Sequence, residues 1–424
     1  MNYIEKLNSE QTEIFNLMIS GENIFLTGEA GTGKSFIINA YDQYCTANNI
    51  SLIKLAPTGI AAYNINGTTL HSQFNLNHGI QDTSKYYKIP KILYFVDTIL
   101  IDEISMCRLD IFDSVMSKIK YANTYCRKKP IQVILVGDFF QLPPVITDQD
   151  RLLLNKLYKK SVDKGFCFQS NLWKEFNFKM CNLKNIVRQD NKLFCDALNR
   201  ARIGDKSCLN YILNNCSKFP DMSAIWLTGK NSSADSINKF MLNKINNQLY
   251  TSNAVKHGTV SCKDFKCDEV FEFKIGARVM SIINDYNKDY KNGSLGTIID
   301  YDDNNKTIKV KFDNGVVASI NKEEFKIFEY IINKNNVIDK NELGSIIQYP
   351  LKLAYAITIH KSQGQTFDSV NFIPELFDDG QFYVAMSRCK SIEKVYIKGE
   401  ILPWKIKASS EVIKFYNNPN NYNF

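Results

Sequence analysis

The residues best suited to chemistry lie in the stretch 28–35, which reads Gly-Glu-Ala-Gly-Thr-Gly-Lys-Ser. The apolar run 23–27 before it predicts a buried strand, and the spacing in 36–41 continues as a helix. A glycine loop between a strand and a helix N-terminus brings backbone N–H groups close to phosphate oxygens. Lys34 would reach the β- and γ-phosphates, and the Ser35 hydroxyl would bind Mg²⁺. The stretch predicts an ATP site, with a chance match in a glycine turn as the alternative.

Two adjacent acids, Asp102 and Glu103, follow the apolar run 98–101, 68 residues after Lys34. At the end of a buried strand, Asp102 would hold Mg²⁺ directly or through water, and Glu103 would orient or deprotonate the attacking water. A pair that only caps the start of a helix is the alternative. The spacing favours a Walker B element.

A further strand is predicted at 133–136, and its loop carries Gln141. Beside the γ-phosphate, Gln141 would couple the state of the nucleotide to the loop behind it. Phe139 and Phe140 in the same loop are also what a buried core requires. Arg188 lies among polar residues further on and, taken alone, is typical of a surface arginine.

Alternating apolar strands and helices predict an α/β protein. The strand at 51–56 ends in a loop at the carboxyl end of a parallel sheet, where open α/β sheets bind ligands. Ser9 is a plausible N-cap for the first helix. From about residue 250, short strands alternate with turns such as Asp313-Asn314-Gly315, which predicts a small antiparallel barrel. The α/β pattern returns at 351–364, so the barrel interrupts the second of two α/β units.

The composition is that of a globular chain of 424 residues, 44% hydrophobic and 23% charged. Its formal net charge of +8 is compatible with a polyanionic partner. Eleven cysteines without a C-x-x-C pair argue against a disulfide framework or a zinc site and favour a reducing compartment. We find neither a signal peptide nor a membrane span. We expect an intracellular protein, cytoplasmic in a bacterial or viral source and nuclear in a eukaryotic one.

Together and in this order, the motifs resemble the Pif/RecD-like group of superfamily 1 DNA helicases, most closely the Pif family. The match runs from Leu7 to about Ile397. Leu7-Asn8 with Gln11 resembles the family's Q motif, 56–62 resembles motif Ia, and 102–106 resembles motif II. Residues 137–144 resemble motif III, 358–364 resemble motif V, and Arg388 falls in motif VI. The stretch 293–296 resembles the family's SH3-like insertion. Thr69-Leu70-His71-Ser72 resembles the DNA-contacting segment after motif Ia, and Arg188 falls in motif IV.

The resemblance implies two RecA-like P-loop NTPase lobes. Lobe 1 would span 1–180 with the ATP site and a small wedge insertion at about 68–90. Lobe 2 would span 181–249 and 348–424, with the SH3-like β insertion at 250–347.

Site residues follow motif by motif from the same resemblance. The predicted nucleotide contacts are Gln11, Gly28, Glu29, Ala30, Gly31, Thr32, Gly33, Lys34, Ser35 and Gly364, with Gln11 recognising adenine. The predicted catalytic residues are Lys34, Asp102, Glu103, Gln141, Arg188 and Arg388, the two arginines acting as fingers, and Mg²⁺ would be held by Ser35 and Asp102. The predicted DNA contacts are Thr58, His71, His360 and Lys361, although a hydrogen-bonded structural histidine is the alternative for His71 and His360.

The resemblance implies a DNA-dependent ATPase that moves 5′ to 3′ along single-stranded DNA and unwinds forks, as a monomer and without a membrane partner. Three alternatives stay open: a kinase or GTPase switch, an ATP-dependent clamp or translocase that does not unwind, and an RNA substrate. The absence of an N-K-x-D run counts against a GTPase, and the second α/β unit with Arg388 counts against a small kinase.

Overall fold

The chain divides into two compact units in a computed structural model, which describes residues 3–77, 79–82, 89–184, 191–258, 267–283, 289–290, 292–332 and 338–418. Unit 1 comprises Met1–Arg188, Phe328–Asn341 and Ala408–Phe424, and unit 2 comprises Gln189–Ile327 and Glu342–Lys407. No helix in these described ranges is long and apolar enough to cross a membrane.

The helices of the described chain are α1 Ser9–Ile19, α2 Lys34–Ala47, α3 Gly59–Asn64, α4 Leu70–Phe74, α5 Leu109–Tyr125, α6 Asp148–Tyr158, α7 Asn171–Glu175, α8 Lys192–Arg202, α9 Cys208–Asn215, α10 Asn231–Asn243, α11 Gln381–Met386 and α12 Ser410–Asn417. The strands are β1 Ile24–Gly28, β2 Leu52–Ala56, β3 Thr68–Thr69, β4 Thr98–Ile101, β5 Gln132–Val136, β6 Lys179–Leu183, β7 Ile225–Thr228, β8 Leu249–Asn253, β9 Val255–Gly258, β10 Val270–Lys274, β11 Arg278–Ser281, β12 Leu295–Asp302, β13 Thr307–Phe312, β14 Val317–Ile320, β15 Glu323–Ile332, β16 Ile338–Gln348, β17 Leu351–Leu353, β18 Ala356–Thr358, β19 Val370–Phe372 and β20 Val395–Ile397.

Unit 1 contains a six-stranded parallel sheet in the order β3-β2-β4-β5-β1-β6. Its central strands β1, β4 and β5 are buried along their whole length, as expected for a parallel sheet covered on both faces. Side chains of β1 alternate between two core clusters. Ile24 and Leu26 pack with residues of α1 and α2, whereas Phe25 packs with residues of α5 and α7.

Helix α1 is capped by Asn8, one residue before the predicted N-cap Ser9. The Asn8 side chain accepts a hydrogen bond from the Gln11 amide at 2.8 Å, and the Gln11 side chain accepts one from the Asn8 amide at 3.2 Å. The reciprocal capping box satisfies two N-terminal donors, which a lone serine cap at position 9 would not do. The predicted cap was therefore wrong by one residue.

Unit 2 contains a four-stranded parallel sheet in the order β18-β7-β19-β20. Between β7 and β18 the chain forms antiparallel structure, chiefly the five-stranded sheet β14-β13-β12-β11-β17. Strand β13 alternates strictly, with Ile308, Val310 and Phe312 buried and the lysines between them exposed. The smaller sheets are β10-β8 and β15-β16-β9, and β15 and β16 contribute residues to both units.

The α/β fold class with a β insertion in the second unit is confirmed. The C-terminal segment differs from the predicted division, which assigned 348–424 to lobe 2, because the segment from Ala408 onward belongs to unit 1. The reason is the apolar face of α12. Val412 and Phe415 are almost fully buried in the core cluster that also contains Phe25 and Phe112.

Candidate nucleotide and DNA site

The glycine loop lies where its sequence predicts, between β1 and the N-terminus of α2. Gly33 caps the helix with φ +88°, a left-handed conformation that L side chains rarely adopt. Lys34 Nζ donates to the carbonyls of Gly28 at 2.9 Å and Glu29 at 3.0 Å. The ammonium group is therefore held over the loop that the motif assigns to phosphates. Ser35 is exposed on the first turn of the helix.

Gln11 joins α1 to the glycine loop. Its side chain is buried, its oxygen takes part in the capping box with Asn8, and its Nε2 donates to Thr32 O at 3.5 Å. A Cβ atom at Gly33 would lie 2.6 Å from Gln11 Nε2. The backbone conformation at position 33 therefore favours glycine, and a side chain there would displace the end of the Gln11 side chain.

The acidic pair follows β4 at the carboxyl edge of the sheet. Glu103 has a left-handed backbone, φ 50° and ψ 43°, which is unusual for a residue with a side chain. Its amide donates to Asp102 Oδ1 at 2.9 Å. Burial and the neighbouring charge of Glu103 raise the pKa of Asp102, while the Glu103 amide and the Lys34 ammonium act in the opposite direction.

The groups near Asp102 suit Mg²⁺ in their chemistry. Mg²⁺ takes hard oxygen ligands, normally one or two carboxylates together with substrate phosphates and waters. Asp102 supplies a carboxylate and Ser35 an exposed hydroxyl. Burial and then the Glu103 charge disfavour the ionised form of Asp102, and a divalent cation bound beside the two acids would favour it.

The loop that carries Gln141 follows β5, the strand between β4 and β1 in the sheet. Gln141 is buried, and its amide donates to Asp138 O at 3.0 Å. Tyr416 of α12 contacts this loop: its hydroxyl accepts from the Phe139 amide at 3.3 Å and lies 2.6 Å from Thr27 Oγ1 of β1. Sequence reasoning missed Tyr416, although its position beside Phe415 in an amphipathic segment was a usable signal.

Thr58 and His71 follow the adjacent strands β2 and β3, which pair in parallel. Thr58 caps α3, its side-chain oxygen accepting from the Ala61 amide at 3.2 Å. His71 lies in the first turn of α4. Both lie at the carboxyl edge of the sheet that also carries the glycine loop and the acidic pair. Unit 1 therefore carries its predicted nucleotide residues and its predicted DNA residues at one edge of the sheet.

Unit 2 contains a second set of predicted site residues. His360, Lys361 and Gly364 lie in the loop after β18, and Arg388 follows α11. Arg388 is 2% exposed. Its guanidinium donates to Ser362 O at 3.3 Å, Gln365 O at 3.2 Å and Val384 O at 2.9 Å.

These bonds tie the residue predicted as an arginine finger to the loop predicted to contact DNA. Arg188, the second predicted finger, lies outside the described residues.

A glycine loop at the start of a helix, an acidic pair two strands away and a second parallel α/β unit define a P-loop NTPase with two RecA-like lobes. Residues 6–208 match the family model described as PIF1-like helicase. The ATP-dependent DNA helicase Pif1 of Campylobacter jejuni is 31% identical over 95% of this chain and 96% of its own length.

Two solved structures of Bacteroides Pif1 are each 32% identical, covering 97% of this chain and 96% of theirs. The complex with ADP-AlF4 superposes with a TM-score of 0.84, and the complex with single-stranded DNA with 0.70. The chain belongs to the PIF1-like helicase family, which confirms the resemblance seen in the sequence.

Proposed function

We propose that this chain is an ATP-dependent DNA helicase that moves along single-stranded DNA 5′ to 3′ and unwinds duplex at forks. The observation that carries the proposal is the glycine loop with Lys34 held over it, in a chain whose similarity to Pif1 helicases extends over nearly its full length. ATP hydrolysis supplies the energy, and the predicted DNA residues lie on the same sheet edges as the catalytic ones.

In unit 1, ATP binding exchanges the partners of Lys34. Its ammonium leaves the Gly28 and Glu29 carbonyls for the β- and γ-phosphate oxygens, and charge-assisted bonds to phosphate are stronger than bonds to neutral carbonyls. Mg²⁺, held by Ser35 and Asp102, would neutralise charge that develops on the phosphates. Glu103 orients the attacking water, and its left-handed backbone sets the direction in which its side chain leaves the chain.

In unit 2, Arg388 couples nucleotide binding to DNA binding by exchanging its hydrogen-bond partners. When its guanidinium turns to the γ-phosphate as a finger, the carbonyls of Ser362 and Gln365 lose the arginine as a donor, and the loop with His360 and Lys361 is held by fewer hydrogen bonds. An arginine finger is worth about 10³–10⁵ in rate in well-studied NTPases. We propose that Arg188 acts as a second arginine finger. We also propose that a monomer suffices for hydrolysis.

The test is ATP hydrolysis with and without oligo-dT, in the wild type and in Lys34→Ala. We expect strong stimulation by oligo-dT in the wild type and background hydrolysis in the variant. Lys120→Ala is the matched control, because Lys120 is an exposed lysine of unit 1 that pairs only with the exposed Glu175 in the contacts described. It should hydrolyse ATP like the wild type.

If the wild type hydrolysed ATP at the same rate with and without oligo-dT, the proposal would be overturned and a kinase-like or switch-like NTPase would be favoured. Equal or stronger stimulation by oligo-rU would redirect it to RNA. Stimulation without strand separation on a forked duplex would leave an ATP-dependent clamp or translocase.

A further inference from the structure

We propose that Phe377, stacked on His360, forms a platform on which one base of single-stranded DNA stacks. The inference rests on the proposed DNA substrate and adds a base contact to the backbone contacts predicted there. The ring centroids of the two residues lie 6.3 Å apart with an interplanar angle of 19°. Phe377 is 55% exposed, so more than half of its surface remains open to solvent beside His360.

The exposure of Phe377 contrasts with its surroundings. Leu376, Phe372 and Phe382, its apolar neighbours on the same segment, are at most 2% exposed. These three side chains lie in the core, Ile373 is partly buried, and Phe377 is the one large apolar side chain of 372–382 that is exposed. Single-strand binding proteins use such rings because every base has a π-face, and stacking tolerates any sequence.

The platform lies at the carboxyl edge of the parallel sheet of unit 2. His360 follows β18 and Phe377 follows β19, the two strands that flank β7. Both loops begin with hydrogen bonds to β7, from the Ile359 amide to Thr228 O and from the Ile373 amide to Leu227 O, each 2.9 Å. The two rings are thereby brought together by the loops after the two strands that pair with β7.

The loop that carries Phe377 is held in place before any ligand binds. Gln381, fully buried at the start of α11, accepts through Oε1 from the amides of Phe377 at 2.8 Å and Asp378 at 3.1 Å. Ser233 of α10 donates to Glu375 Oε1 at 2.8 Å. A loop whose backbone is held beside the ring loses little conformational entropy when a base stacks there.

The charges around the platform suit a polyanion on one side. Lys361 and Lys230, which follow β18 and β7, are both exposed. Asp378 is the acid that faces His360. Burial lowers the pKa of His360, so its imidazole is neutral at pH 7 and stacks as a neutral ring. A strand would place its phosphates near the lysines and one base over Phe377.

The experiment compares the wild type with Phe377→Ala and Phe377→Trp in the full chain. Dissociation constants are measured for oligo-dT and for an oligomer of the same length made of abasic sites. We expect Phe377→Ala to weaken oligo-dT binding about 5- to 140-fold, the loss of one base–aromatic stack. Phe377→Trp should bind at least as tightly as the wild type, and all three proteins should bind the abasic oligomer equally.

Two controls separate stacking from charge and from general damage. Phe219→Ala removes another exposed phenylalanine of unit 2, 80% exposed, and should leave binding unchanged. The slope of log K against log salt should stay that of the wild type in Phe377→Ala, because stacking releases no counterions. Lys361→Ala should reduce the slope by about 0.7 if that lysine neutralises one phosphate.

The proposed platform would be overturned if Phe377→Ala bound oligo-dT as tightly as the wild type, or if it lost as much affinity for the abasic oligomer as for oligo-dT. Such a result leaves the proposed helicase function intact, since DNA-stimulated hydrolysis by the wild type is measured separately. A wild type that binds no oligo-dT would overturn both.

Discussion

At the scale of single residues, Gly33 carries two separate constraints. Its φ of +88° disfavours any side chain, and a Cβ atom would press on Gln11 Nε2. Gln11 cannot give way without cost, because its side chain is buried and bonded to Asn8. The strain of a side chain at positive φ lowers stability, whereas the displacement of Gln11 disturbs the loop that we propose binds phosphate.

The two constraints can be separated by comparing Gly33→Ala with Gly21→Ala. Gly21 has φ +84° but no atom within 4 Å of a Cβ. Both variants should lose about 1–2 kcal/mol of unfolding free energy from left-handed strain. Only Gly33→Ala should also lose affinity for ATP, about tenfold for each 1.4 kcal/mol that the displaced loop costs. Urea unfolding and titration with a fluorescent ATP analogue measure the two quantities.

Equal ATP affinity in Gly33→Ala and Gly21→Ala would contradict this account of the loop. It would mean that Gln11 moves freely and has no part in shaping the phosphate site.

At the scale of elements, α12 completes the core of unit 1. Phe415 is 1% exposed and packs against Phe168, with ring centroids 4.4 Å apart and nearly parallel, and against Trp173. Tyr416 on the next position bonds to β1 and to the loop after β5. The helix thus supports both the strand that ends in the glycine loop and the loop that carries Gln141.

Phe415→Ala should lower the unfolding free energy of unit 1 by about 3–5 kcal/mol, the usual cost of emptying a buried phenylalanine site. Urea unfolding followed by tryptophan fluorescence is suitable, because Trp173 lies in the same cluster. Phe219→Ala, at an exposed position, should change stability by no more than about 0.5 kcal/mol. A loss in Phe415→Ala as small as in that control would show that α12 is not part of the core.

The sequence predicted features that depend on neighbouring residues, and it did not predict contacts between residues far apart in the chain. The strands β1, β2, β4 and β5 were predictable, because each is a local apolar run followed by a polar loop. The fold class and the candidate residues of both units followed from the order of those runs and from the family resemblance. The partner of α12 was not predictable, because Tyr416 and Thr27 are 389 positions apart. The contact of Arg388 with the loop after β18 was not predictable either. It is made to backbone carbonyls, which every residue has, so no residue type signals it.

At the scale of the whole molecule, hydrolysis has to be turned into movement with a direction. A DNA strand has chemically distinct 5′ and 3′ ends, and the loops that bind it are chiral, so a stepping enzyme keeps one polarity. The expected direction, 5′ to 3′, comes from membership in the PIF1-like family.

Polarity is measured with one duplex that carries an oligo-dT tail of the same length at either its 5′ or its 3′ end. We expect ATP-dependent strand separation with the 5′ tail and none with the 3′ tail or with a blunt duplex, and none on any substrate with Lys34→Ala. Because both tailed substrates present the same bases and phosphates, a difference between them reports direction rather than affinity. Equal unwinding from both tails would exclude directional stepping, since a chiral contact with the strand moved in one sense by each ATP cannot treat the two ends alike.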